Sequence, residues 1–198
     1  KDIVTVCSSI NAVSIFFGSG AGSFTSPKYL SVQGVPSSIA VADVNHDGFP
    51  DGVITTYTGN RLVTLRGVPA GSPFVLNADI ALASQPGRAL LADLDGDGRQ
   101  DVVTTMKYSS IIESVYGAKG GTFSNRWWMD TRIPLPSIAL GDLDNNALPE
   151  LLAPSDTSGI VSFSGSSNRI ISYSGRIPYQ YNDTNNPITQ IEAIDFNK

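Results

Sequence analysis

The chain is built from short runs of apolar and β-branched residues, four to six long, separated by glycine and polar clusters. Ile39-Ala-Val-Ala42, Val53-Ile-Thr-Thr56 and Leu62-Val-Thr-Leu-Arg-Gly67 follow one another, and a run opened by Phe74 comes next. Runs of this length, rich in Val, Ile and Thr and bounded by turn residues, predict strands rather than helices. The same succession recurs along the chain. Ala89-Leu-Leu-Ala92, Ile138-Ala-Leu-Gly141 and Ile191-Glu-Ala-Ile194 match the first run, and Ile3-Val-Thr-Val6, Val102-Val-Thr-Thr105 and Leu151-Leu152 the second. Val13–Gly18, Ile112–Gly117 and Ile160–Gly165 match the third. Phe24 and Phe123 take the place of Phe74, and Ile170-Ile171 stand there in the last copy. Each unit therefore reads as four antiparallel strands in about 50 residues, the size of a β-propeller blade. One blade cannot bury both of its faces alone, so the blades must stack. The first run ends in Ala42, Ala92 or Gly141, small residues that suit a crowded innermost strand.

Between the first and second runs lies an acidic loop. Its copies run Asp43-Val-Asn45-His-Asp47-Gly48-Phe-Pro-Asp51, Asp93-Leu-Asp95-Gly-Asp97-Gly98-Arg-Gln-Asp101 and Asp142-Leu-Asp144-Asn-Asn146-Ala147-Leu-Pro-Glu150. Their first aspartates are 50 and 49 residues apart. A further copy begins at Asp195-Phe-Asn197, and Asp2 holds the last position of one at the other end. The glycine closing the third run follows position nine of the loop by 16, 16, 16 and 15 residues in the four copies.

Oxygen ligands at alternate positions converge on a hard cation when the chain coils tightly, and calcium takes 6–8 of them. Positions one, three, five and nine of each loop carry side-chain oxygens: Asp43, Asn45, Asp47 and Asp51; Asp93, Asp95, Asp97 and Asp101; Asp142, Asp144, Asn146 and Glu150. Position seven is expected to offer its carbonyl. Gly48 and Gly98 at position six supply the left-handed turn. An EF-hand would need a bidentate Glu at position twelve, where Ile54, Thr104 and Ala153 stand, so the expected metal site lies in a β-hairpin. The third loop, with Asn146, Ala147 and Glu150, is expected to bind most weakly. Asp195 and Asn197 with Asp2 would form a split fourth site. The alternative reading of each loop is a solvated acidic turn.

The sequence pattern resembles the FG-GAP/VCBS repeat family, which includes the propellers of integrin α chains and an integrin-like lectin. The residues that carry the resemblance are the three loops, the strands after them, and Phe17-Gly18 or Tyr116-Gly117 with the Phe24 or Phe123 that follows. It implies an all-β propeller of four-stranded antiparallel blades, with calcium as the bound ion. Three blades are complete (about 35–82, 86–130 and 134–180). Residues 1–30 would supply strands two to four of a further blade, and Ile188–Ile194, in the segment 188–198, its first strand. Three outcomes follow for that split blade: closure on itself as a four-bladed ring, pairing with a neighbouring copy, or continuation in a larger propeller. The last two are favoured, so self-association or a larger parent is expected. The family also implies an extracellular or cell-surface adhesion module with a protein or glycan ligand.

Composition sharpens this picture. Ten of the 18 acids lie in the three loops, so three calcium ions would change the formal charge from −5 to +1. An acidic chain lacks the basic surface that nucleic acid requires. No apolar run is long enough to span a membrane. The single His46 and Cys7 are far apart and no GxSxG or HExxH motif occurs, so no catalytic constellation is expected. Cys7 reads as a small buried strand residue and His46 as solvent-exposed. Trp127-Trp128, Tyr57, Tyr108 and the Tyr173–Tyr181 segment are the aromatic candidates for a sugar site. Adjacent strand residues face opposite ways, so one tryptophan is expected to pack between blades and the other to lie on the surface. Asn182-Asp-Thr184 is an N-glycosylation sequon.

Overall fold

The structure is a computed structural model and describes residues 1–69, 74–155, 159–178 and 190–193. Apart from one 3₁₀ turn at Ser8–Ile10, its described elements are strands. A three-stranded sheet holds β1 (Ile3–Cys7), β2 (Ala12–Phe16) and β3 (Lys28–Ser31) in that order. The first four-stranded sheet holds β4 (Pro36–Ala42), β5 (Asp51–Thr56), β6 (Arg61–Arg66) and β7 (Val75–Ala81). The second holds β8 (Pro86–Ala92), β9 (Asp101–Met106), β10 (Ile111–Ala118) and β11 (Thr122–Asp130). The third holds β12 (Ala139–Gly141), β13 (Glu150–Ser155), β14 (Gly159–Ser164) and β15 (Ser172–Pro178). Neighbouring strands pair antiparallel in sequence order, as in Val53 opposite Ala40 on one side and Thr64 on the other.

Burial within a sheet explains the apolar pattern. β5 and β9 are buried along their whole length, whereas β7 and β3 are mostly exposed. A strand covered on both faces reads as an unbroken apolar or β-branched run, and an outer strand is left to alternate. The chain divides into two compact units, residues 1–89 with 119–122, and 90–118 with 123–198. In the first, Val13, Ile15, Val32, Ile54, Val63 and Leu65 form a core, joined by Phe17 and Phe74. Its blades are also bonded to the start of β8: the Thr55 hydroxyl donates to the Gly87 carbonyl at 2.7 Å. In the second, Leu94, Val103, Ile112, Tyr116, Ile138, Leu151, Phe163 and Ile171 pack together. Phe123 is buried, but Phe24 bridges Gly18 and stays exposed.

The small innermost residues have the reason expected of them at one position. A Cβ on Gly141 would lie 2.9 Å from the Cβ of Ala193. Among the described residues β1 has one strand neighbour, β2. Of the segment expected to supply a first strand beside it, residues 190–193 are described and carry no strand. Cys7 is half-buried rather than buried, because β1 ends there, and its thiol lies 2.8 Å from the Ser14 hydroxyl. His46 is exposed.

Candidate metal centre

Each acidic loop joins the first two strands of its blade and is held by the same hydrogen bonds. The position-one aspartate accepts backbone N–H groups of positions five and six in every loop, and Asp93 accepts that of Gly96 at 2.7 Å as well. Asp43 takes Asp47 and Gly48 (3.1 and 2.8 Å), Asp93 takes Asp97 and Gly98 (3.1 and 2.8 Å), and Asp142 takes Asn146 and Ala147 (3.2 and 3.0 Å). Position three accepts from position five, at 2.8 Å for Asn45, 3.2 Å for Asp95 and 3.1 Å for Asp144. Position five accepts from position seven: Phe49 to Asp47, Arg99 to Asp97 and Leu148 to Asn146. These bonds wind the loop so that its carboxylates turn inward.

Two left-handed residues make the coil. Gly48 and Gly98 have φ of 89° and 81°, and Ala147 takes φ of 70° at the same place. Alanine there costs on the order of 1 kcal/mol relative to glycine. Position four is left-handed as well, in His46, Gly96 and Asn145 (φ 60°, 77° and 60°). That explains a histidine, a glycine and an asparagine at one structural position.

In the second loop, carboxylate oxygens of Asp93, Asp95 and Asp101 lie within 4.8 Å of one another, and in the third loop so do those of Asp142, Asp144 and Glu150. The first loop has the same bonding with Asn45 in the position-three place. Clustered hard oxygens of this kind match the donor set of calcium. The position-twelve residues Ile54, Thr104 and Ala153 are buried in β5, β9 and β13, so no EF-hand ligand comes from there. Asp195, Asn197 and Asn182 lie outside the described residues.

Position nine has a second role that the ligand pattern did not reveal. Asp51 and Asp101 are 2 % and 0 % exposed. One oxygen of each accepts the N–H of position two, Val44 at 3.0 Å and Leu94 at 2.8 Å. The other accepts the N–H of the glycine 16 residues on, Gly67 and Gly117, each at 2.7 Å. Asp2 binds Gly18 in the same way at 2.8 Å. The carboxylate thus ties the loop to the third strand. The glycine is needed because a Cβ on Gly18, Gly67 or Gly117 would fall on the carbonyl oxygen of Lys1, Pro50 or Gln100. In the last copy the offset is 15, and the Ser164 hydroxyl donates to Glu150 instead, at 3.3 Å. The constant offset was the sequence signal for this bond.

The second loop also receives a side chain that its own sequence does not contain. Arg169 donates through Nε to Asp95 Oδ2 at 2.7 Å and through Nη2 to Asp97 Oδ2 at 3.2 Å. Its guanidinium also sits over the Tyr116 ring, 5.4 Å from the centroid. Asp97 is bonded to Arg99 as well, at 2.6 Å. Position five of this loop therefore faces two guanidinium groups, while positions one, three and nine converge.

Burial pushes the Asp101 carboxyl up from 3.8 to about 6, the Gly117 and Leu94 N–H groups pull it down, and Asp95 and Asp97 push it up again. A carboxyl whose folded pKa is raised stabilises the fold fully below the unfolded value and loses that contribution as pH rises through the folded one. In chelator, the melting temperature is therefore expected to fall as pH rises from about 4 to a little above 6, and Asp101→Asn to flatten this fall. An equally steep fall in the variant would contradict it.

The aromatic candidates separate as expected. Trp127 packs against the core of the second unit, whereas Trp128 is 59 % exposed. Tyr108 and Tyr173 are exposed, Tyr57 is half-buried, and 179–181 lie outside the described residues.

A mouse protein, cartilage acidic protein 1, is 32 % identical over 120 residues, which is 52 % of this chain and 18 % of that protein. The chain thus spans under a fifth of that relative's length. Two crystal structures of BBS1N in complex with ARL6DN share the fold. The lead-soaked one has a TM-score of 0.57 and 13 % identity over 89 % of this chain and 48 % of that one. The mercury-soaked one has a TM-score of 0.62 and 15 % identity over 94 % of this chain and 47 % of that one. The FG-GAP-like repeat matches residues 1–54 and 93–153, and the FG-GAP repeat matches 35–76. The repeat matches span the three acidic loops and Gly18, Gly67 and Gly117, and the chain is a β-propeller module of the FG-GAP repeat family.

Proposed function

We propose that this chain is a non-enzymatic extracellular module whose acidic hairpins bind calcium and stiffen its blades for adhesion or surface assembly. The observation that carries the calcium reading is the convergence of Asp93, Asp95 and Asp101, two of them buried, on one point inside a loop wound by its own backbone. Calcium would be held by these residues with Asp97, by Asp142, Asp144, Asn146 and Glu150, and by Asp43, Asn45, Asp47 and Asp51. It would supply the charge that lets each loop keep its ionised carboxylates together. The adhesive and extracellular part is supported by similarity to a protein named for cartilage. A protein partner is supported by a neighbouring propeller that was crystallised with one. Among the described residues no helix is long and apolar enough to cross a membrane. Among the described residues β1 pairs with β2 alone, and because an unpaired strand edge invites pairing, this supports assembly with a second copy or with further blades.

A second reading, carbohydrate binding, is favoured by the exposed rings of Tyr108, Trp128 and Tyr173. A glycan array probed with and without calcium separates the two. The adhesion reading predicts no calcium-dependent glycan signal, together with calcium-dependent binding to deglycosylated matrix proteins. A glycan signal that disappears in Trp128→Ala would establish the lectin reading instead.

A further inference from the structure

We infer that Arg169 is a tethered counter-cation that sets the calcium affinity of the second loop, and that calcium displaces it from Asp95. This inference rests on the calcium reading above. Its basis is a comparison of equivalent positions. Arg169 stands four residues after the hairpin glycine Gly165, as Gly121 does after Gly117 and Gly22 after Gly18. All three residues are left-handed, with φ of 64°, 72° and 79°. Two of the three are glycine, which takes this conformation freely, whereas an arginine is strained there. Strain kept at one copy of a repeat marks a position where the side chain has a use.

The use follows from what each residue meets. Gly121 packs on position three of the first loop, where a Cβ would lie 2.7 Å from the Cβ of Asn45. Arg169 reaches position three of the second loop, where Asp95 stands. A neutral ligand is thus faced by glycine, and a charged one by a guanidinium. The second loop carries one acid more than the first, and Arg169 offsets that extra charge. Asp95 Oδ2 is occupied by Arg169 Nε, so a cation drawing on both oxygens of Asp95 must displace the arginine. The guanidinium also stacks over the Tyr116 ring, 5.4 Å from its centroid, which keeps it beside the loop. Arg169 is a positioning residue for affinity, not a ligand.

The test is calorimetric calcium titration of the whole chain as wild type, Arg169→Gly and Arg169→Lys, with Asp93→Ala identifying the second-loop site. Arg169→Gly installs the residue that Gly22 and Gly121 already are, so it relieves strain while removing the charge. It is expected to tighten second-loop binding roughly tenfold, the scale of one nearby charge acting on a divalent ion across a solvated loop. Arg169→Lys is expected to stay near wild type and keeps the test open if the glycine variant fails to fold. A lysine variant that binds calcium at the second loop about tenfold more tightly than wild type would count against the inference. Nitrogen-detected NMR adds a readout that a purely structural arginine would not move: the Arg169 Nε proton is expected to be protected in chelator and to exchange freely with calcium. Unchanged or weaker affinity in Arg169→Gly, with calcium still bound, overturns this inference alone. Absence of second-loop binding in every variant overturns both it and the calcium reading.

Discussion

Asp101→Ala is expected to destabilise the chain by about 3–5 kcal/mol in chelator, before any metal enters the comparison. The side chain is fully buried, and its two oxygens take the N–H groups of Leu94 and Gly117. Removing it leaves two buried donors unpaired and unties the loop from the third strand. Gly117→Ala attacks the same junction from the other side. Its Cβ would fall on the Gln100 carbonyl oxygen, so the two strands must part, at a cost of about 2–4 kcal/mol. Asp47→Ala is the contrast. Asp47 is exposed and accepts one N–H, from Phe49, so its loss in chelator should cost about 1 kcal/mol or less. Denaturant unfolding in chelator measures all three. Equal effects of Asp101→Ala and Asp47→Ala would remove the structural role given to position nine.

Calcium is expected to raise the melting temperature and a chelator to lower it. An ion that binds only the folded state stabilises it by RT ln(1 + [L]/Kd), about 2.7 kcal/mol per site at a hundredfold excess over Kd. The second loop holds three converging carboxylates, two of them buried, whereas Asp142 and Asp144 of the third are exposed. In the third loop the Asn146 amide donates to Asp144 Oδ2 at 2.9 Å, turning a donor toward a carboxylate. Asp97→Ala should therefore remove more of the calcium stabilisation than Asn146→Ala. The same calcium stabilisation in both variants would contradict this order of the sites.

The blade was legible because its features repeat in phase. Strand runs, acidic loop and closing glycine recur every 50 or 49 residues, and a pattern that returns three times fixes strand order even where single runs are ambiguous. The loop positions were legible for the same reason, since alternation of oxygen-bearing residues has a direct meaning for a coiled hairpin. What the pattern left hidden depends on contacts between segments far apart in the chain. The tie from Asp101 to Gly117 spans 16 residues and was visible only as an unexplained constant spacing. The approach of Arg169 to Asp95 spans 74 residues, and no local rule connects an arginine in one turn with an acid in the preceding blade. Left-handed backbone at His46 and Asn145 was hidden because neither residue type demands it. Phe24 matched Phe123 in sequence yet stays exposed, because burial depends on what faces a residue and not on its place in the repeat.

The most direct test of the calcium reading is a titration of chelator-treated protein with calcium up to about 1 mM, followed by calorimetry. Saturable binding is expected, losing its second-loop component in Asp93→Ala and its third-loop component in Asp142→Ala, each without loss of the fold. Titration of the folded wild type with no binding heat, together with a melting curve that calcium leaves unmoved, would contradict the calcium reading.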